Sequence, residues 1–392
     1  MTEFNFNTTK SIISNIGAVS KIVDFCRQLS ITKPLIVTDH GIVNCGLLLR
    51  LTEHLSGASF AHCIYDNVSQ DPYEDVIYEG TDVAVKNNCD GVIGFGGGSS
   101  MDTAKLVALL ANNKKIRLDD IYGLDQVTGT RLPLILIPTT AGTGSEVTPI
   151  SIVTTGDTTK AGVISNQLLP DIALLDASLT IGLPSNITAA TGIDAIVHAI
   201  EAYTSKIKKN VYSDMLAIKA IQLLCENIKE ATFNGRNIDA RQKMLLGASL
   251  AGQAFANAPV AAVHALAYPL GGYFHIPHGL SNSLVLPHVM RFNASHCSDL
   301  YAEIARLTLP HSFKAKGTDF EVTEAFIQFL ESLIVSLELP TSLKEMDIET
   351  TSLPLLANEA MKQTRLLVNN PKPLSKFDAL AIYQKAYGVK NL

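Results

Sequence analysis

Charge is what this 392-residue chain has least of. Only 17% of its residues are Asp, Glu, Lys or Arg, and between Lys243 and Arg291 there are none. Set against 47% hydrophobic residues, that scarcity excludes a disordered or fibrous chain and fits a well-buried globular enzyme. A basic excess is also missing. The formal charge of −6 argues against a general nucleic-acid surface. No CxxC pair occurs among Cys26, Cys45, Cys63, Cys89, Cys225 and Cys297, so they read as reduced cytosolic thiols rather than a disulfide framework or zinc ribbon. The opening MTEFNFNTTK has an early acid and no apolar core of a secretory signal, and a soluble cytoplasmic protein is expected. The uncharged stretch does not read as a membrane span, because Gln253, Asn257, Pro259, His264 and Gly271-Gly272 interrupt it. Buried helices are expected there instead.

The length is too great for one ordinary core, and two domains are the natural division. Residues 1–184 alternate β-type runs with helical patterns, the mark of an α/β domain with a parallel sheet. Strands are expected over residues 34–40, 60–65, 91–95 and 132–138, and helices over 73–87, opened by Asp71-Pro72, and 99–111. After Leu183-Pro184 the chain becomes Ala/Leu/Ile-rich with few strand signals, so residues 185–392 read as an all-α domain. The cleft between two such domains is the expected place for a ligand.

Two polar glycine loops stand out in the first half. Gly94-Phe-Gly96-Gly97-Gly98-Ser99-Ser100-Met-Asp102 follows a strand and opens a helix. Glycines there let the backbone approach a pyrophosphate, and a helix N-terminus supplies N–H donors and a positive dipole. A tight turn capped by Ser99 or Ser100 has the same pattern. Asp39 ends an earlier strand, where a carboxylate accepts hydrogen bonds from an adenosine ribose and repels a 2′-phosphate. Pro138-Thr139-Thr140-Ala-Gly142-Thr143-Gly144-Ser145-Glu146 follows a further strand, and its threonines suit a phosphate or nicotinamide ribose. Together the three segments point to a dinucleotide.

The charge-free stretch holds four histidines, His264, His275, His278 and His288. Imidazole is the commonest metal ligand, and a dry setting strengthens an ion's pull on what it binds. Upstream, Asp194 and His198 are four apart among apolar residues, which places both on one face of a helix. A buried charge needs compensation, and a metal provides it. One carboxylate with up to three imidazoles suits Fe²⁺ or Zn²⁺ with a position open for a substrate oxygen. His264 lies in a helical run. His278 is favoured over His275 because Pro277 and Gly279 would fix it at a turn after the Gly271-Gly272 break, and His288 reads as structural.

The GGGS turn, the PTTAGTGSE loop, the Asp194-x3-His198 helix and VHALAYPLGGYFHIPHGLSN resemble the iron-containing (group III) alcohol dehydrogenases in order and spacing over nearly the whole chain. The resemblance implies an N-terminal dinucleotide-binding domain and an all-helical C-terminal domain, with metal and cofactor in the cleft. It implies metal ligation by Asp194, His198, His264 and His278. It further implies NAD contacts from Asp39, from Gly96, Gly97, Gly98 and Ser99 at the pyrophosphate, from Thr139, Thr140 and Thr143, and from Lys160 at the nicotinamide ribose. NADP-preferring members tend to have a small residue at the Asp39 position. A homodimer is likewise implied by the likeness alone. Two departures are visible: Tyr268 stands where several members have a further His, and Asp71 where many have Asn.

The expected reaction is reversible oxidation of a small primary alcohol to its aldehyde with NAD⁺. A metal lowers the pKa of the alcohol oxygen, and hydride leaves for nicotinamide C4. Related enzymes acting on 4-hydroxybutyrate, lactaldehyde or 1,2-propanediol, and glycerol are alternatives that differ in pocket lining. A 3-dehydroquinate-synthase-like lyase would need a basic cluster that the uncharged stretch does not supply.

Overall fold

The computed structural model describes residues 3–113, 115–156, 159–309, 313 and 316–388. They form two compact units, one of residues 7–183 and one running from Pro184 onward with the N-terminal stretch up to Phe6. The inclusion of that stretch departs from the expected domain limits. Phe4 and Phe6 hold it in the second unit by packing on Tyr212, with ring centroids 5.7 and 5.5 Å apart.

The first unit carries strands β1 (Ser11–Ser14), β2 (Pro34–Val37), β3 (Cys63–Tyr65), β4 (Gly91–Gly96), β5 (Gly123–Leu124), β6 (Leu134–Pro138), β7 (Ile150–Thr155), β8 (Thr159–Ile164) and β9 (Ile172–Leu175). Its helices are α1 (Ile22–Gln28), α2 (His40–Asn44), α3 (Leu47–Gly57), α4 (Glu74–Lys86) and α5 (Gly98–Asn112). Six strands make a parallel sheet in the order β1-β9-β6-β4-β2-β3. Its central strands, PLIV, GVIGFG, LILIP and IALL, are buried throughout, as strands covered on both faces must be. Successive side chains serve opposite layers. Leu35, Val92 and Leu134 join the core containing Ile77 of α4 and Leu106 of α5, whereas Ile36, Ile93 and Ile135 join the one containing Ile22 of α1 and Leu51 of α3.

Strands β2, β4 and β6 run parallel and in register, with Val37 beside Gly94 and Gly96 beside Pro138. Asp39, the glycine turn and the threonine loop therefore emerge at one edge of the sheet, where doubly wound folds bind ligands. Expected strands 60–65 and 132–138 are trimmed to β3 and β6. The sequence pattern did not reveal β1, the antiparallel β7–β8 hairpin or β9.

The second unit contains α6 (Ser185–Thr204), α7 (Val211–Phe233), α8 (Ile238–Asn257), α9 (Ala262–Phe274), α10 (His278–Thr308), α11 (Asp319–Ser336), α12 (Leu353–Ala360), α13 (Thr364–Leu367) and α14 (Lys376–Tyr387). Helix α6 is buried almost all round, enclosed by α7, α8 and α10, which explains its lack of a polar face. The expected Gly271-Gly272 break is absent. Helix α9 continues through both glycines to Phe274 and stops where His275 turns left-handed at φ 54°. Pro277 then caps α10, whose first residue is His278. Among the described residues no helix is long and apolar enough to cross a membrane.

Candidate metal centre and cofactor turn

Helix α6 presents Asp194 and His198 one turn apart, at 2% and 4% exposure. Helix α9 contributes His264, 2% exposed, and the first turn of α10 contributes His278. One ligand atom from each of the four lies within 4.8 Å of the others. His278, His264 and His198 place Nε2 at 3.6, 3.9 and 4.0 Å from Asp194 Oδ1. An ion with tetrahedral arms of about 2.1 Å separates its ligand atoms by about 3.4 Å, so the cluster has the size of a divalent transition-metal site. The ligand types fit as well, borderline imidazoles with one hard oxygen.

His278 differs from the other three, since 43% of its side chain is exposed. That exposed imidazole opens the cluster to one side. Its closest approach to α6 depends on Gly279: a Cβ there would collide with the Ala190 carbonyl oxygen and stand 3.2 Å from Asp194 Cβ. His275, which is exposed, and His288, which is half-buried, both lie outside the cluster.

The imidazoles are held by groups the sequence reading did not single out. His264 Nδ1 lies 2.6 Å from Glu201 Oε2, and the Val263 N–H donates to Glu201 Oε1 at 2.7 Å. A carboxylate on Nδ1 leaves Nε2 as the lone-pair nitrogen and raises its basicity. Glu201 is seven residues after Asp194 on the same helix face, an acid inside an apolar run, and that spacing was its only signal. His198 is stacked between Phe255 and His264, with centroids at 4.4 and 4.7 Å. Tyr268 has its ring 5.9 Å from that of His278. Burial opposes ionisation of Asp194, but the three imidazoles and an amide of Asn282 overcome it and hold the carboxyl below its usual range.

In the first unit, Gly96 ends β4 at φ 152°, a conformation suited to glycine, and a Cβ there would meet Ser100 Oγ at 2.6 Å. Gly97 caps α5, and a Cβ on it would meet nothing nearer than Thr140 Oγ1 at 3.8 Å. Gly98 packs against the Thr143 side chain, Ser99 sits in the first helical turn, and the buried Thr139 donates its N–H to Gly96 O at 3.0 Å. Asp39 caps α2 by accepting the Ile42 N–H at 3.1 Å, and accepts the Ser100 hydroxyl at 2.9 Å. The structure thus brings Asp39, both glycine loops and the threonines together. A network missed in the sequence ties the loops: Lys105, wholly buried, donates to Asp102, Ser145 Oγ (2.8 Å), Thr148 Oγ1 and the Ile150 carbonyl. Burial pushes its ammonium below the usual lysine range, with Asp102 opposing. Lys160, on β8, forms an ion pair with Asp71, so the Asp that replaces the family's Asn takes hold of it.

Comparison with known proteins follows the two units. The family described as "Iron-containing alcohol dehydrogenase" matches residues 9–177, and "Fe-containing alcohol dehydrogenase family, C-terminal" matches residues 188–387. The chain belongs to the iron-containing alcohol dehydrogenases. As a member it is an oxidoreductase interconverting alcohols and aldehydes. It is 39% identical over 383 residues to the long-chain-alcohol dehydrogenase 1 of Geobacillus thermodenitrificans, covering 95% of this chain and 93% of that one. The crystal structure of a 1,3-propanediol oxidoreductase superposes with a TM-score of 0.93 at 32% identity, over 98% of this chain and 100% of the other. The sulfoacetaldehyde reductase of Bifidobacterium kashiwanohense, solved in complex with NAD⁺, has a TM-score of 0.88 at 27% identity, with 100% of each chain covered.

Proposed function

We propose that this alcohol dehydrogenase holds Fe²⁺ through Asp194, His198, His264 and His278, and uses NAD(H) to interconvert a small primary alcohol and its aldehyde. The observation that carries the reading is the convergence of those four ligand atoms within 4.8 Å, with His264 oriented by Glu201. Zn²⁺ has the same ligand preferences; the family's iron favours Fe²⁺. When bound, the ion stabilises negative charge on the substrate oxygen and the nicotinamide takes up the hydride.

The chain's own residues supply orientation and dryness. Glu201 keeps the His264 lone pair on Nε2 and aimed at the ligand cluster. Ala195, Val197, Ala265 and Leu266, chain neighbours of the ligands, are fully buried, and exclusion of water strengthens electrostatic contacts in such a setting. Phe255 walls the His198 side. Tyr268 brings a phenol beside His278, where other members have an imidazole. Gly96, Gly97, Gly98 and Ser99 offer an open backbone at the α5 N-terminus for a pyrophosphate, with Thr139, Thr140 and Thr143 across from it. Asp39 is the acceptor for ribose hydroxyls, and Lys160, braced by Asp71, is the cation for the nicotinamide ribose. The NAD⁺ held by the sulfoacetaldehyde reductase neighbour supports this choice of cofactor. The six free cysteines support a reducing cytoplasmic setting, and the family likeness supports a homodimer.

The test joins metal analysis to a substrate panel, following NADH with ethanol, a propanediol and 4-hydroxybutyrate. Purified protein should contain stoichiometric iron and reduce NAD⁺ with at least one alcohol. His264→Ala should lose metal and activity together; an active, metal-free variant overturns the assignment.

A further inference from the structure

Asn282 is the least expected polar group near the ligand cluster. It lies on α10 four residues after His278, hence on the same helix face, and its side chain is 0% exposed. Its Nδ2 donates to Asp194 Oδ1 at 2.6 Å and lies 3.3 Å from both His264 Nε2 and His278 Nε2. The amide therefore touches three of the four proposed ligands. Chemistry fixes its orientation, because turning it over would press an amide oxygen against a carboxylate oxygen. It also agrees with the tautomer set by Glu201. An amide N–H facing His264 Nε2 requires a lone pair there, and Glu201 holds the proton on Nδ1; that lone pair is the one an ion would take, so the bond to Asp194 Oδ1 is the contact compatible with ligation. Asn282 Oδ1 is buried without a hydrogen-bond partner among the described residues. A buried orphan oxygen costs about 1–3 kcal/mol, so packing alone gives no reason to keep an amide here instead of a leucine of similar size.

We infer that Asn282 is a positioning residue for the metal centre. One N–H fixes the rotation of the Asp194 carboxylate, which otherwise turns freely about its last bond, so that its oxygen faces the imidazoles. Neighbouring groups that orient ligands in this way typically change metal affinity by about 10–100-fold when removed. The inference rests on the four-ligand reading and extends it to a residue that does not itself bind the ion.

The test uses Co²⁺ as the probe with the full-length protein, measuring affinity by chelator competition together with the visible d–d spectrum, which reports ligand geometry. Asn282→Leu keeps volume and removes the donor. It should bind Co²⁺ roughly 10–100-fold more weakly, with a shifted spectrum. Asn282→Asp also removes the donor but sets a second carboxylate against Asp194. It should melt at lower temperature in chelator and gain more from Co²⁺ than the wild type does. Wild-type affinity and spectrum in Asn282→Leu overturn the inference. Should that variant not fold, a Co²⁺-induced melting shift in Asn282→Asp equal to the wild-type shift overturns it. Failure of the wild type itself to bind Co²⁺ would instead sink the metal reading on which it rests.

Discussion

Asp39 shows how one side chain carries both a structural and a chemical task. It caps α2 through one oxygen and accepts Ser100 through the other, and these contacts hold it at the sheet edge beside the glycine turn. Replacing it by Asn keeps a good cap and removes only the charge that repels a 2′-phosphate. Asp39→Asn should therefore raise efficiency with NADP⁺ relative to NAD⁺ by on the order of tenfold, the equivalent of ~1.4 kcal/mol, with little change in melting temperature. An unchanged ratio of kcat/KM values would remove Asp39 from cofactor selection. Part of the cluster was legible at this scale: the four-residue spacing of Asp194 and His198 put two of the four clustered side chains on one helix face, and the family resemblance implied the other two. Glu201 and Asn282 escaped notice because their shortest contacts, to His264 and Asp194, span 63 and 88 residues, and nothing in a Glu or Asn by itself announces such a contact.

Among the elements, the join of α9 and α10 decides whether the histidines can meet. The glycine pair at 271–272 looked like a helix end, since each helical glycine costs about 1 kcal/mol relative to alanine. The actual end is the left-handed His275 followed by Pro277, which a sequence pattern does not distinguish from an ordinary turn. The glycine that matters is Gly279, where α10 touches the α6 backbone. Gly279→Ala should force the first turn of α10 away from Ala190, withdraw His278 and Asn282 from Asp194, and cost about 1–3 kcal/mol as overpacking does. Urea denaturation should show the loss, and metal retention should fall with it. Retained metal at wild-type stability would mean that the two helices can part without cost. Strands β2, β4, β6 and helices α4 and α5 were legible from buried apolar runs and turn residues. Strand β1 was not, being three half-buried residues and one exposed residue whose partner β9 begins 161 positions along the chain.

For the whole molecule, burial of a titratable group sets a pH limit. Burial, assisted by Arg291 and Lys385 and opposed by Glu331, lowers His288 from 6.5 to about 4. The unfolded chain then binds a proton that the folded one refuses between those two values, so stability rises with pH across that window and falls on acidification from 6.5 toward 4. The slope from this residue is at most about 1.4 kcal/mol per pH unit. His288→Gln should flatten it, seen as a smaller change in urea midpoint between pH 6.5 and 4.5. An unchanged slope would assign the acid sensitivity to other groups.

The scarcity of charge, the glycine turn after a buried strand, and paired ligand types at helical spacing were properties of the sequence alone. They pointed to an α/β unit, a helical unit and a set of metal-ligating residue types, because periodicity and residue chemistry act over a few neighbours at a time; the dehydrogenase activity was implied by the family resemblance. Tertiary structure decided the rest. It brought α6, α9 and α10 close enough for four ligand atoms to lie within 4.8 Å, left His278 exposed, and set Glu201 and Asn282 against the ligands. Those outcomes depend on helix packing between residues far apart in the chain, where one missing Cβ at Gly279 allows an approach that local sequence does not encode.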